Sequence, residues 1–242
     1  MRLGIMQPYF TPGLGYFDLI HLCDQWIVFD TAQYRRHSWM NRNRILHPAE
    51  GWQHLTARVR KPRRGTPIHA VGLAPSPDWR PAMVRQLGHY ARSAPHYDST
   101  RALLEASLAQ EPESLSRLNV DLLARCCKAL EVPFSYRFYS EMNLEIGPIE
   151  GPGDWALRIS EALGADIYIN PPGGEGIFDR AAFEAAGCEL VIRRFQDLVY
   201  EPRGFDFIPG LSIIDVMMWN DPASVKAHLD QQRAAFDASL VS

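Results

Sequence analysis

The first thirty residues constrain the fold more than any other stretch. Residues 2–7, Arg-Leu-Gly-Ile-Met-Gln, read as a short strand closed by Pro8, whose missing N–H cannot continue a ladder. A turn-rich run, Pro8-Tyr-Phe-Thr-Pro-Gly-Leu-Gly15, follows. Residues 16–24 then carry apolar side chains at helical spacing, Phe17, Ile20 and Cys23 with Leu19 and Leu22 alongside, and residues 25–30 form a second apolar strand. This order predicts a βαβ unit with parallel strands. Their carboxyl ends, Gln7-Pro-Tyr9 and Asp30-Thr-Ala32, then stand side by side, on the edge where open α/β sheets bind ligands.

The same grammar continues. Residues 42–47 and 52–60 alternate in polarity around the turn His47-Pro-Ala-Glu-Gly51, which predicts a hairpin. Leu55, Ala57 and Val59 share one face, and His54, Thr56, Arg58 and Arg60 the other. Asn41 and Asn43 point opposite to Arg42 and Arg44, so all four face one ligand only if the strand is irregular. Helical patterns cover residues 79–92, 100–110 and 114–130, with Ser114 as a cap, and α/β alternation resumes with strands at 134–139, 166–170 and 189–193 and helices at 153–163 and 179–186. Helices at 212–219 and 222–236 end the chain. The expected architecture is a single α/β domain over residues 1–242: three layers, a mostly parallel sheet, a β-hairpin and a central helical insert at about 78–130.

With 46% hydrophobic and 22% charged residues, the chain can bury a full core. No run approaches the roughly 20 apolar residues that span a bilayer, and the N-terminus lacks a signal-peptide apolar region. The expectation is a cytoplasmic protein without membrane insertion. Cys23, Cys126, Cys127 and Cys188 form no C-x-x-C pair and read as buried free thiols. The histidines show no H-x-x-x-H or H-E-x-x-H spacing, so no metal site is expected.

Charge is distributed unevenly. Residues 35–64 hold nine cations (Arg35, Arg36, Arg42, Arg44, Arg58, Arg60, Lys61, Arg63 and Arg64) against one acid, Glu50, in a chain of net charge -3. A local cluster on an acidic chain fits a small anion, phosphorylated or carboxylated, held by guanidinium forks better than it fits nucleic acid, although a solvated face is an alternative. Arg42 and Arg44 are the best candidate ligands, and residues 61–64 read as an exposed turn. Asp30, at the end of the second strand, could serve as general base, metal carboxylate or partner of Arg42, or as a loop cap. Tyr34 could donate a proton or stack on a ring, and His37, among arginines, would stay neutral and could accept a proton. Pro171-Pro-Gly-Gly-Glu-Gly176 could bring amides to an anion or be an ordinary turn, and Glu175 would repel phosphate.

Met6-Gln-Pro-Tyr-Phe10, Gly15-Tyr-Phe-Asp-Leu-Ile20, Asp30-Thr-Ala-Gln-Tyr34, Trp39-Met-Asn-Arg-Asn-Arg-Ile45, Leu163-Gly-Ala-Asp-Ile-Tyr168 and Leu211-Ser-Ile-Ile-Asp215 together resemble the WbqC-like proteins, nearly end to end. The resemblance implies association with bacterial surface polysaccharide or O-antigen biosynthesis, as transferases acting on sugars or attaching small acyl groups such as glycine. It nominates positions without assigning them roles and names neither a cofactor nor a protein partner; taken with the strand-end and charge arguments, Gln7, Tyr9, Tyr16, Asn41, Arg42, Asn43, Arg44, Ser212 and Asp215 are the substrate-binding candidates. Ser212 also reads as an ordinary helix cap. The layout is similar to the opening of HIGH-type nucleotidyltransferases, but the loop Pro12-Gly-Leu-Gly-Tyr16 lacks their paired histidines. The expected function is transfer of a group, acyl or aminoacyl, to or from a phosphorylated or nucleotide-linked sugar. The alternatives are an ATP-dependent activating enzyme and a noncatalytic partner of a polysaccharide assembly complex.

Overall fold

The computed structural model describes residues 1–75 and 79–240. In chain order its elements are β1 (Arg2–Met6), α1 (Leu14–Leu22), β2 (Gln25–Val28), the pair β3 (Arg42–Leu46) and β4 (Trp52–Thr56), α2 (Trp79–Gln86), α3 (Tyr97–Leu108), α4 (Leu115–Ala129), β5 (Tyr136–Phe138), α5 (Asp154–Leu163), β6 (Ile167–Asn170), α6 (Arg180–Ala185), β7 (Glu189–Ile192), α7 (Ile213–Trp219) and α8 (Pro222–Ser239). Five strands make one parallel sheet in the order β5-β2-β1-β6-β7, while β3 and β4 form a separate antiparallel hairpin. The α/β architecture expected from the sequence is therefore present.

The sheet owes its two covered faces to the period-two alternation of its strands. Leu3, Ile5, Ile27, Tyr168 and Leu190 join Ile159 of α5 and Phe183 of α6 in one hydrophobic cluster. Trp26, Val28, Phe138 and Ile169 join Phe17 of α1, Leu123 of α4 and Leu229 of α8 in the other. Each such side chain removed from water contributes about 1.5–3 kcal/mol, which makes the sheet the centre of a three-layer stack. Gly4 sits in the middle strand because a Cβ there would meet the Trp26 ring at 2.5 Å and Cys23 Sγ at 2.9 Å.

Several boundaries differ from the sequence expectation. Helical character over 79–92 divides into α2 and a 3-10 segment over Leu87–Arg92, which contains Gly88 and turns Tyr90 inward so that its phenol bonds Asp215. The anticipated start of the helical insert at residue 78 falls outside the described residues. Strand β4 stops at Thr56, and beyond it the chain changes partner, with Val59 bridging Leu73 and Ala74 N–H donating to Arg58 O at 2.8 Å. Helix α1 begins two residues earlier than the periodicity suggested, at Leu14, with Gly13 as its N-cap and no side chain capping it.

The chain starts at the central strand, builds outward through β2 and β5, then returns to build through β6 and β7 on the other side. The direction reverses between β1 and β6. Crossover connections leave opposite faces there, so the carboxyl ends of these two strands open into a crevice rather than a packed corner.

Candidate functional site

Two adjoining clefts occupy that crevice. The first, about 550 Å³, is walled by the start of α1 (Gly13, Leu14, Gly15), by Asn43 and Arg44 of the hairpin and by Arg193, Arg194 and Phe195 beyond β7. The second, about 1050 Å³, is lined by Gln7, Phe29, Thr31, Trp155, Tyr168, Asn170 and Phe178 among others, with Gly173 and Gly174 on its rim. Met6, Tyr9, Trp39 and Pro171 belong to both, so Tyr9 and Trp39 stand where the two meet.

The first cleft is the arginine-lined one, with a single acid, Asp197, also on its wall. The first-turn amides of α1 have no side-chain cap, and a helix N-terminus carries partial positive charge. The Arg44 guanidinium donates to Gly210 O at 3.1 Å and lies over the rings of Trp39 and Trp52, 5.5 and 5.4 Å from their centroids, with no carboxylate among its partners. Arg194 donates to Glu175 at 3.1 Å. Arg193 is engaged instead in a bidentate bond to Asp18 of α1, at 2.8 and 3.1 Å, and in bonds to Gln232. The second cleft is aromatic, with Phe29 packed 5.3 Å from Trp155 and Tyr168 5.6 Å from Phe178, centroid to centroid. Gly153, at the start of α5, packs against the Ile177 carbonyl so closely that a Cβ would displace the Pro172–Ile177 turn bordering this cleft.

The residues nominated by the sequence fall into three groups. Gln7, Tyr9, Tyr16, Asn43 and Arg44 line the clefts. Burial pushes the Tyr9 phenol above its ordinary pKa, with Arg35 pulling it partly back, so it is protonated and a hydrogen-bond donor at neutral pH. Tyr16 is buried, raised well above the ordinary value by the same cause, and donates to Gln7 O at 2.8 Å. Asn43 uses all its polar atoms on the fold: its amide donates to Phe10 O and Thr11 O, and its oxygen accepts from Arg44 N–H.

A second group lies beside the clefts on the basic turn. Arg42 faces His37 Nδ1 at 3.4 Å, and His37 sits in left-handed backbone at φ 58°. Burial raises the Tyr34 phenol, and Arg36 and Arg42 oppose that rise. His54, not singled out from the sequence, is lowered first by burial and then by Arg42, Arg44 and His37, and is neutral at neutral pH.

The third group is interior. Asn41 donates to Ala57 O at 3.1 Å, in the backbone just past the end of β4. Asp30 is buried and accepts from Ser140 N–H at 3.0 Å and Ser140 Oγ–H at 2.8 Å, tying the end of β2 to the chain after β5. Ser212 caps α7 by accepting from Ile214 N–H and donates to Thr11 O. Asp215 is 0% exposed and accepts from the phenols of Tyr90 and Tyr200 and from Leu46 N–H; burial, the dominant influence, raises its pKa.

Sequence reasoning missed Asn119, whose buried amide donates to Pro8 O at 2.8 Å and Met40 O at 2.7 Å and so holds the β1 loop against the basic turn. It also missed Trp155, Arg194 and the pairing of Asp18 with Arg193, although Asp18 stands within the Gly15–Ile20 motif. The cysteines are free, and burial raises all four thiols, Cys126 to about 12, which disfavours a thiolate nucleophile. Among the described residues there is no group of three or more His, Cys, Asp or Glu side chains able to hold a metal, and no helix long and apolar enough to cross a membrane.

Fold and clefts together define a doubly wound α/β protein with a two-part crevice, one part arginine-lined and one aromatic, at the reversal point of its sheet. The chain belongs to the WbqC-like protein family, whose model matches residues 7–227. An uncharacterized protein of Mycobacterium tuberculosis (strain ATCC 25618 / H37Rv) is 28% identical over 224 residues, covering 89% of this chain and 92% of its own. No solved structure matches the chain.

Proposed function

We propose that the protein binds a phosphorylated or nucleotide-linked sugar across the two clefts and transfers a group to or from it, in bacterial surface polysaccharide biosynthesis. The observation that carries this reading is the continuity of the arginine-lined cleft with the aromatic one across Tyr9 and Trp39. A nucleotide sugar has the same two-part character: a charged diphosphate joined to rings that stack on aromatic faces. In this reading Arg44, Arg194 and the α1 amides hold the anion. Tyr9, at the junction, and Gln7, on the wall of the aromatic cleft, hydrogen-bond a sugar hydroxyl or an acyl carbonyl, and the aromatic wall orients the ring.

Asp30 and Asn43 act through the backbone they hold, the first at the end of β2 and the second at Phe10 and Thr11. His37 and Tyr34, with Arg42, form the neighbouring polar turn from which a proton can be relayed. Catalysis rests on positioning and on electrostatic stabilisation of developing negative charge, without a covalent intermediate on the protein.

Calorimetric titration tests this with a nucleoside diphosphate sugar, the free sugar, inorganic pyrophosphate and ATP. The nucleotide sugar should bind more tightly than either of its parts. Arg44→Ala should weaken it roughly 10- to 100-fold, the usual loss for a charge-assisted hydrogen bond. Failure of every phosphorylated ligand to bind, or indifference to Arg44→Ala, rejects the proposal. ATP binding with pyrophosphate release in the presence of a carboxylate would assign the crevice to an activating enzyme instead.

A further inference from the structure

None of the nine cations of residues 35–64 forms an ion pair with a carboxylate among the described residues, whereas ten of the sixteen Lys and Arg elsewhere do, Arg2, Arg117, Arg125, Arg158 and Arg193 among them. Seven of the nine are exposed, and only Arg42 and Arg44 are partly covered. Tertiary structure brings six of them, Arg35, Arg36, Arg42, Arg44, Arg63 and Arg64, together. Tyr34 N–H donates to Thr66 O, and Thr66 bonds back to Arg63 O, so the 63–66 turn is laid beside Arg35 and Arg36. Arg36 and Arg42 both flank the Tyr34 phenol, and Arg42 reaches His37. Arg44 continues the row one strand position pair away, between two indoles that are the most exposed tryptophans of the chain, Trp39 at 43% and Trp52 at 44%.

Unpaired cations at this density repel one another and raise the free energy of the folded chain unless an anionic surface covers them. The exposed indoles restrict what that surface is. Stacking on nucleic acid bases uses ring faces, and Arg44 already takes one face of each indole and leaves one. Tryptophan with arginine at the edge of an exposed patch matches the bilayer–water interface, where an indole sits at headgroup depth and basic side chains meet anionic headgroups.

We infer that the face formed by the 35–42 turn, the 63–66 turn and Trp52 docks peripherally on an anionic phospholipid bilayer. Docking there brings the rim of the crevice, at Trp39 and Arg44, towards the membrane surface without inserting any element into it. The inference stands on the unpaired charge and exposed indoles and does not depend on the reaction proposed for the crevice.

Co-sedimentation of the full chain with vesicles decides the matter, comparing phosphatidylcholine alone with phosphatidylcholine mixed with phosphatidylglycerol. The protein should pellet only with the mixed vesicles and be released by added salt. The variant R36E/R63E/R64E should lose about tenfold or more in partitioning, while R36K/R63K/R64K keeps it. Trp52→Ser should weaken partitioning and diminish the blue shift of tryptophan fluorescence on binding. Melting curves establish that each variant is folded, and if the charge-reversed one is not, the wild-type vesicle comparison and Trp52→Ser still decide. Equal partitioning to both vesicle types, no partitioning to either, retention by the folded charge-reversed variant, or binding to single-stranded nucleic acid while vesicles stay unbound would each overturn the inference.

Discussion

Arg193 and Arg44 line the same cleft and have opposite chemistry. Arg193 is 11% exposed and grips an Asp18 carboxylate that is 1% exposed, with Gln232 also accepting from its Nη2. Arg44 has a backbone carbonyl and two indole faces for company and no acid at all. The first arginine is consumed by the fold, and the second keeps its charge for something outside it. Position on a cleft wall therefore says little about role until each side chain's partners are counted.

The comparison breaks most sharply at Asp18. Asp18→Ala should cost about 3–5 kcal/mol in chemical denaturation, because it strands a buried guanidinium. Replacing both partners with apolar residues should recover much of that loss. If Asp18→Ala is nearly neutral, Arg193 is as free as Arg44 and the contrast fails.

Asn119→Ala comes next. It removes donors from the Pro8 and Met40 carbonyls inside the structure and should cost about 2–3 kcal/mol. It should also raise the ligand dissociation constant, since the loop carrying Tyr9 is pinned there.

Asp215 offers a pH-dependent version of the same lesson. Its folded pKa is raised by burial, so between the ordinary carboxylate value and that raised value the native state holds a proton that the unfolded chain has released. This group's contribution to stability therefore falls as pH rises through the window and is constant above it. Compared with Asp215→Asn, the wild type should gain stability as pH is lowered through that range. Parallel pH profiles for the two proteins would contradict it.

Smallest of all is the expected effect of removing an unpaired surface cation. Arg64→Ala should leave stability within about 0.5 kcal/mol, and Arg44→Ala should act on ligand binding far more than on the melting midpoint. A large destabilisation in either would mean that the basic turn is a structural element.

Much of this molecule was legible from local pattern. Strand and helix spacing located β1, α1, β2, α5, β6, α6 and β7 to within a few residues, since alternation by two and by about 3.6 is imposed by backbone geometry. The alternation of residues 41–44 also foretold that asparagines and arginines would part company: Asn41 and Asn43 turned inward to backbone carbonyls and Arg42 and Arg44 turned out. The cap roles of Ser114 and Ser212 were readable for the same reason, because capping is a contact over three residues.

The partners of buried charge were not readable. Asp18 and Arg193 are 175 positions apart, and Tyr90 and Asp215 are 125 apart. Nothing local to any of these residues announces the other. Asp30 looked like a group at the mouth of the sheet, and Ser140, 110 positions away, holds it.

The sequence by itself therefore determined the element order, the parallel sheet and the concentration of positive charge in residues 35–64, because each follows from neighbours along the chain. Tertiary structure alone decided which arginines are neutralised, which aromatics wall the crevice and which carboxylates are withdrawn into the interior. Those outcomes depend on groups far apart in sequence being desolvated together, and burial fixes whether a charge must be paired or can remain available.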